Sequence, residues 1–188
     1  MWFLWPKRSW VLTLMMKRTS ESARHRLGLL DGSASEPLSQ DALRGRALAM
    51  LTRRDHSRQE LSRKLLEQGG QAGLVQLVLD ELAERGLQSD SRFAEVFVRS
   101  RAERGCGPRA IMADLRGRGV DSELVERAIE ASGYDWQKQA NVLRERRFGL
   151  AMPVEMREKA RQLRFLQYRG FSGAQAGKAL RCDPPDDD

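Results

Sequence analysis

One local pattern, a corner between two helices, occurs three times in the chain and restricts its fold more than any other feature. In the first copy the sequence from Arg53 onwards reads RRDHSRQEL. Ser57 is placed to cap a new helix by accepting a hydrogen bond from the Glu60 amide, while the Glu60 side chain is placed to accept one from the Ser57 amide. Arg53 and Arg54 suit the carbonyl end of the preceding helix. We therefore predict a helix-turn-helix corner surrounded by positive charge.

The same pattern returns further along the chain in matching positions. The second copy is offset by 50 residues, which aligns Arg54, Leu61, Leu65 and Gly69 with Arg104, Ile111, Leu115 and Gly119. The third copy is offset by 115 residues, which aligns Ala176 and Leu180 with Leu61 and Leu65. There Ser172 and Gln175 are predicted to form a second capping box. These offsets indicate an internal repeat.

Apolar residues recur at helical spacing throughout the body of the chain, and no segment alternates as a strand would. The predicted helices cover about 41–54, the Ser57 cap to Gly69, about 72–85, an Asp90 cap to about 104, Pro108 to Gly119, an Asp121 cap to Gly133, Asp135 to about 148, about 154–168, and the segment after Ser172. The predicted fold is all-α, an elongated array of three tandem three-helix repeats with about nine short helices. Repeat 1 is predicted at residues 41–89, repeat 2 at 90–134 and repeat 3 at 135–182.

The two ends differ from the body in composition. Residues 1–40 are predicted to form a flexible leader, and the acidic residues 183–188 a disordered tail. The apolar stretch at residues 1–16 is open to two interpretations. It is a signal segment or interfacial anchor, or it is an appendage or upstream start with Met15 or Met16 as the true beginning. No run reaches the roughly 18 consecutive apolar residues that a membrane span needs.

The charge of the body indicates an anionic partner. Residues 41–182 carry 27 basic and 19 acidic side chains. A net positive body is typical of proteins that bind nucleic acid or an acidic protein surface, although a well-solvated charged surface gives the same count. The chain has 27 arginines and 6 lysines, and guanidinium groups suit bidentate contacts to phosphate and carboxylate.

The sequence offers no constellation of catalytic residues. His56 lies in a basic turn without a neighbouring nucleophile and is interpreted as a surface residue. Cys106 and Cys182 are too few and too isolated for a disulfide framework or a zinc site, and Cys106 is interpreted as a small turn cysteine. We therefore predict a protein that is not an enzyme, with no cofactor and no metal.

Arginines near the three corners are the candidate binding residues. They are Arg53, Arg54, Arg58, Arg101, Arg104, Arg109, Arg164 and Arg169. Regular stacking of the repeats would make them a repeated row of positive charge. The alternative is that several satisfy helix ends or pair with Asp55, Glu60, Asp114 and Glu158.

Four motifs, in this order, give the chain a resemblance to a known family. They are RRDHSRQEL from Arg53, DSRFAE from Asp90, GPR at Gly107 followed by GRGV from Gly117, and RFLQYRGF from Arg164. Together they resemble the bacterial RecX family over about residues 41–180. Neither residues 1–16 nor the acidic tail belongs to this resemblance.

The resemblance implies a regulatory protein of homologous recombination, built of three tandem three-helix units. Members of this family bind the RecA recombinase and its DNA filament, lie along the filament groove, and mostly inhibit ATP hydrolysis, strand exchange and coprotease activity. We expect the same here, in a cytoplasmic monomer that does not bind membranes and binds single- or double-stranded DNA weakly. The alternative is a general DNA-binding helical protein that contacts phosphates without RecA.

Overall fold

The computed structural model describes residues 38–181, and this part of the chain contains nine α-helices and no β-strand. The helices are α1 (Gln40–Arg53), α2 (Arg58–Glu67), α3 (Ala72–Glu84), α4 (Asp90–Glu103), α5 (Pro108–Arg116), α6 (Ser122–Ala131), α7 (Trp136–Phe148), α8 (Met156–Tyr168) and α9 (Gly173–Lys178). The all-α prediction is confirmed. The predictions for residues 1–37 and for the acidic tail fall outside the described residues.

Each consecutive group of three helices packs around an apolar cluster of its own. In repeat 1, helices α1–α3 bury Leu43, Leu61, Leu65 and Val78 completely. Helices α4–α6 enclose a second cluster that includes Phe93, Ile111, Leu115 and Val125. Helices α7–α9 enclose a smaller third cluster that includes Ala140, Leu166, Phe171 and Ala176. Three three-helix domains therefore follow one another in tandem, as predicted.

Each of the three corners lies at the start of a helix, the second helix in repeats 1 and 2 and the third helix in repeat 3. Ser57, Gly107 and Ser172, which are related by the offsets of 50 and 115 residues, are the N-cap residues of α2, α5 and α9. The Ser57 hydroxyl accepts a hydrogen bond from the Glu60 amide at 3.1 Å. The capping box at Ser172 is complete, and Pro108 stands at the first position of α5, both as predicted.

Two capping predictions are wrong, and in both cases a carboxylate binds elsewhere. Glu60 does not accept from the Ser57 amide, because its carboxylate pairs with guanidinium groups across the corner. Ser89, not Asp90, is the N-cap of α4. The Asp90 carboxylate instead accepts hydrogen bonds from the Arg58 amide at 2.8 Å and from the Gln88 side chain at 2.7 Å.

The first corner joins repeat 1 to repeat 2. The Ser57 hydroxyl donates to the Arg118 carbonyl at 2.6 Å, and the Arg118 guanidinium pairs with the Glu60 carboxylate. A further ion pair joins Arg92 to Asp55 at 3.0 Å. The residues that build this corner therefore also hold the next repeat in place.

The second and third corners bind each other through the backbone. The Gly107 amide donates to the Arg169 carbonyl at 2.7 Å, and the Arg109 amide donates to the Gly170 carbonyl at 3.0 Å. This approach requires glycine, because a Cβ on Gly107 would lie 2.5 Å from the Gly170 carbonyl carbon. Repeats 2 and 3 therefore meet corner to corner.

Candidate functional site

Four of the eight candidate arginines keep their guanidinium groups free, and all four are exposed. They are Arg53, Arg104, Arg109 and Arg164. Within residues 38–181 their guanidinium groups make no hydrogen bond and no ion pair. A free guanidinium on the surface keeps all its donors for a partner molecule. These four residues are therefore the accessible part of the predicted set.

The guanidinium groups of the other four candidates are engaged within the protein. Arg54 pairs with Glu60 at 3.2 Å, and Arg58 donates to Asp80 at 2.6 Å and to Gln76 at 2.9 Å. Arg101 pairs with Asp114 and lies over the Phe97 ring at 5.1 Å. Arg169 donates to the carbonyls of Gly105, at 3.0 Å, and Arg104.

Equivalent positions therefore have different environments. Arg54, Arg104 and Arg169 are related by the repeat offsets, yet one pairs with a buried carboxylate, one is free, and one ties two repeats together. The alternative in which corner arginines pair within the protein is confirmed for Arg54 with Glu60 and for Arg101 with Asp114. Asp55 pairs with Arg92, and Glu158 with Arg161, neither of which was a candidate.

Glu60 is the charged centre of the first corner. Its side chain is 6% exposed and lies between Arg54 and Arg118. Burial alone would raise the pKa of this carboxyl, but the two guanidinium groups outweigh burial and hold the pKa below its ordinary value. Glu60 is therefore ionised at neutral pH, which fixes both arginines.

The prediction that His56 is a surface residue is wrong, because it is 3% exposed. Its Nδ1 lies 3.2 Å from a Glu60 carboxylate oxygen. Burial, and then the charges of Arg54 and Lys64, lower the pKa of His56 below its ordinary value despite Glu60. A neutral imidazole therefore donates to the carboxylate. The repeat pattern indicates this burial. The residues aligned with His56 in the second and third corners are the half-buried Cys106 and the buried Phe171.

The net positive charge lies almost entirely in one repeat. Residues 41–89 carry 8 basic and 7 acidic side chains, residues 90–134 carry 8 of each, and residues 135–181 carry 11 basic and 4 acidic. One of the 11, Arg144, is buried and donates to the carbonyls of Ala151 and Leu150. The repeated corners therefore account for little of the excess charge.

Helix α8 carries basic residues that the corner pattern did not include. Arg157 and Arg161 are exposed and precede the candidate Arg164 at spacings of four and three residues, and Tyr168 follows four residues later. The Tyr168 side chain is 89% exposed. These four residues could have been found in the sequence, because spacings of four, three and four residues place side chains on one face of a helix.

The described residues provide no cluster of metal ligands and no helix long and apolar enough to cross a membrane. Cys106 is half-buried and packs against the core of repeat 2, which fits the interpretation as a turn cysteine. Cys182 lies outside the described residues.

Three tandem three-helix domains, with free arginines near all three corners and a strongly basic third domain, define an all-α repeat protein with a basic surface. The described residues thus share the architecture of proteins that recognise macromolecules.

Family models for RecX match all three domains in order. The first three-helix domain matches residues 44–82, the second matches residues 89–129, and the third matches residues 134–180. The chain therefore belongs to the RecX family of regulatory proteins.

Relatives agree with this assignment, and two solved structures share the fold. The regulatory protein RecX of Halorhodospira halophila is 47% identical over 157 residues, covering 84% of this chain and 94% of the relative. That of Pseudomonas savastanoi pv. phaseolicola is 43% identical over 146 residues, covering 78% and 94%. The crystal structure of RecX from Lactobacillus salivarius superposes with a TM-score of 0.65 at 20% identity, covering 75% of this chain and 94% of that one. A second crystal structure, of regulatory protein RecX, gives 0.64 at 23% identity, covering 74% and 72%.

Proposed function

We propose that this protein regulates the RecA recombinase by binding RecA and the RecA–DNA filament. It lies in the filament groove and mostly inhibits ATP hydrolysis, strand exchange and coprotease activity. The observation that carries the proposal is the match of all three domains, in order, to a family whose members are named regulatory protein RecX.

The repeated architecture supports binding to a filament. Several separate contacts on one chain act together at a high effective concentration when the partner also repeats. The free corner arginines, Arg53, Arg104 and Arg109, lie in repeats 1 and 2 and are proposed to meet acidic side chains or phosphates of the filament. The division into repeats at 41–89, 90–134 and 135–182 belongs to the same proposal.

We further propose that the protein acts by binding alone, as a cytoplasmic monomer and without catalysis of its own. The naming of the relatives as regulatory proteins supports an action without catalysis. Its effect on the filament would then follow from occupancy of the groove.

Co-sedimentation with filaments tests the proposal. RecA filaments assembled on single-stranded DNA should pellet the protein at a salt concentration where DNA alone does not. RecA-dependent pelleting supports a filament regulator. Equal pelleting with naked DNA, steeply reduced by salt, would instead assign general DNA binding through phosphate contacts.

A further inference from the structure

Three of the eleven basic side chains of repeat 3 lie on one face of helix α8. Successive residues of an α-helix are rotated by about 100°, so Arg157, Arg161, Arg164 and Tyr168 fall within an arc of about 60°. At a rise of about 1.5 Å per residue, the row is about 16 Å long. All four side chains are exposed. We call these four residues the α8 face.

Helix α7 fixes one side of this face. Arg161 lies over the Phe148 ring at 5.3 Å, and Arg147 lies over the same ring at 5.7 Å. Phe148 in turn packs edge-on against Phe165 at 5.2 Å. The Phe148 ring thus contacts the guanidinium groups of both Arg147 and Arg161.

Two carboxylates lie beside the row and limit its width. Glu158 pairs with Arg161 at 3.4 Å, and Glu155 and Glu158 line a shallow cavity of about 310 Å³ together with the three arginines. A broad anionic surface, such as the two backbones of a duplex, would meet these carboxylates as well. A single strand brings only one anionic backbone to the row and so meets less of this negative charge.

Tyr168 at the end of the row distinguishes a nucleic acid from an acidic peptide. A tyrosine ring that is 89% exposed offers a flat surface on which an unpaired base can stack. Guanidinium groups bind phosphates through paired hydrogen bonds. Cations for the phosphates combined with an aromatic side chain for a base are the means by which proteins hold single strands.

We propose that the α8 face is a binding site for single-stranded nucleic acid. Arg157, Arg161 and Arg164 contact consecutive backbone phosphates, and Tyr168 stacks on a base. This inference deepens the proposed function, since it assigns a contact with DNA to repeat 3. The binding itself requires no RecA, so it can fail or succeed independently of the filament proposal.

Fluorescence anisotropy with a labelled oligothymidylate, in the absence of RecA, tests the site. The Arg157→Ala/Arg161→Ala/Arg164→Ala variant should weaken binding about tenfold or more and flatten its salt dependence. The matched control removes three exposed arginines outside both the corners and the α8 face, Arg99→Ala/Arg116→Ala/Arg127→Ala, and should change affinity less than about twofold. Equal losses in the two triple variants would overturn the site.

Tyr168 gives a second test that leaves the net charge unchanged. Tyr168→Ala should weaken binding of the oligothymidylate roughly five- to 150-fold, whereas Tyr168→Phe should retain it. Because this side chain is exposed, circular dichroism should report unchanged helical content in both variants. Wild-type affinity in Tyr168→Ala would overturn the stacking role.

Competition experiments test the class of ligand. Unlabelled oligothymidylate should displace the probe more effectively than a duplex of equal nucleotide concentration or polyglutamate. Stronger displacement by polyglutamate would assign an acidic protein segment to the α8 face, and equal displacement by duplex would exclude selectivity for single strands. Either result overturns the proposal, while the filament co-sedimentation remains a separate measurement.

Discussion

The buried leucines of the corners illustrate how one residue stabilises a repeat. Leu65 and Leu115 occupy equivalent positions and are 0% exposed. Leu65→Ala or Leu115→Ala should each reduce the free energy of unfolding by about 2–5 kcal/mol, through lost burial and the cavity left behind. Urea denaturation measures this. Leu77→Ala, at a position 56% exposed, is the control, and an equal loss there would contradict the core assignment.

Glu60 predicts how stability changes with pH. Its pKa is lower in the folded protein than in the unfolded chain because of Arg54 and Arg118. The stabilisation is therefore fully present above the unfolded pKa of about 4.3 and is lost as the pH falls through the folded pKa. Glu60→Gln should cost about 1–3 kcal/mol at neutral pH and reduce the acid dependence of the unfolding midpoint.

The exposed Glu84 supplies the control for that measurement. Glu84→Gln should leave both the midpoint at neutral pH and its acid dependence close to wild type. If Glu60→Gln behaves in the same way, the ion pairs at the first corner contribute nothing to stability.

Individual residues show where prediction from sequence succeeds and fails. The caps at Ser57, Asp121 and Ser172 were predictable because a cap and its amide partner lie within three residues. The environments of His56, Glu60 and Asp90 were not, because their partners belong to other elements. Likewise, the sequence alone does not distinguish the engaged Arg169 from the free Arg104.

At the scale of elements, the junction between repeats 2 and 3 depends on close contact between two turns. Gly107→Ala should destabilise this junction by about 1–3 kcal/mol, since the added Cβ would overlap the Gly170 backbone. Gly73→Ala is the matched control, because a Cβ at that helical position meets no atom within 4 Å. It should be neutral or stabilising by up to about 1 kcal/mol.

Hydrogen exchange locates the effect of Gly107→Ala. Faster exchange should appear at the amides of Gly107 and Arg109, which donate to the third corner, and spare α1–α3. Equal stability of the two alanine variants would contradict the predicted overlap.

At this scale the sequence predicted the nine helices well, because each has a cap or a glycine at its end. It did not predict how corners contact each other. The first corner binds the end of α5 and the start of α4, whereas the second binds the third. Similar local patterns thus form different contacts between repeats, because those contacts depend on residues that do not repeat.

At the scale of the whole molecule, the net charge differs between the first two repeats and the third. Repeats 1 and 2 are nearly neutral and carry isolated free arginines, while repeat 3 carries most of the net charge. The corner pattern predicts arginines at matched positions and does not predict this asymmetry. The sequence does contain it, in the net charge of each repeat. Only Arg164 belongs both to the candidate set and to the α8 face.

The free corner arginines are expected to contribute to filament binding. The Arg53→Ala/Arg104→Ala/Arg109→Ala variant should bind RecA filaments about tenfold more weakly, with stability within about 0.5 kcal/mol of wild type. The control removes three exposed arginines outside the corners, Arg99→Ala/Arg116→Ala/Arg127→Ala. Equal weakening by both variants would show that net charge, not corner position, determines binding.

The most direct test of the central proposal is the rate of DNA-dependent ATP hydrolysis by RecA as this protein is added. The rate should fall as the protein reaches amounts comparable to RecA or below, in parallel with binding to filaments. Unchanged hydrolysis, together with no binding to filaments, would contradict a regulatory role on RecA.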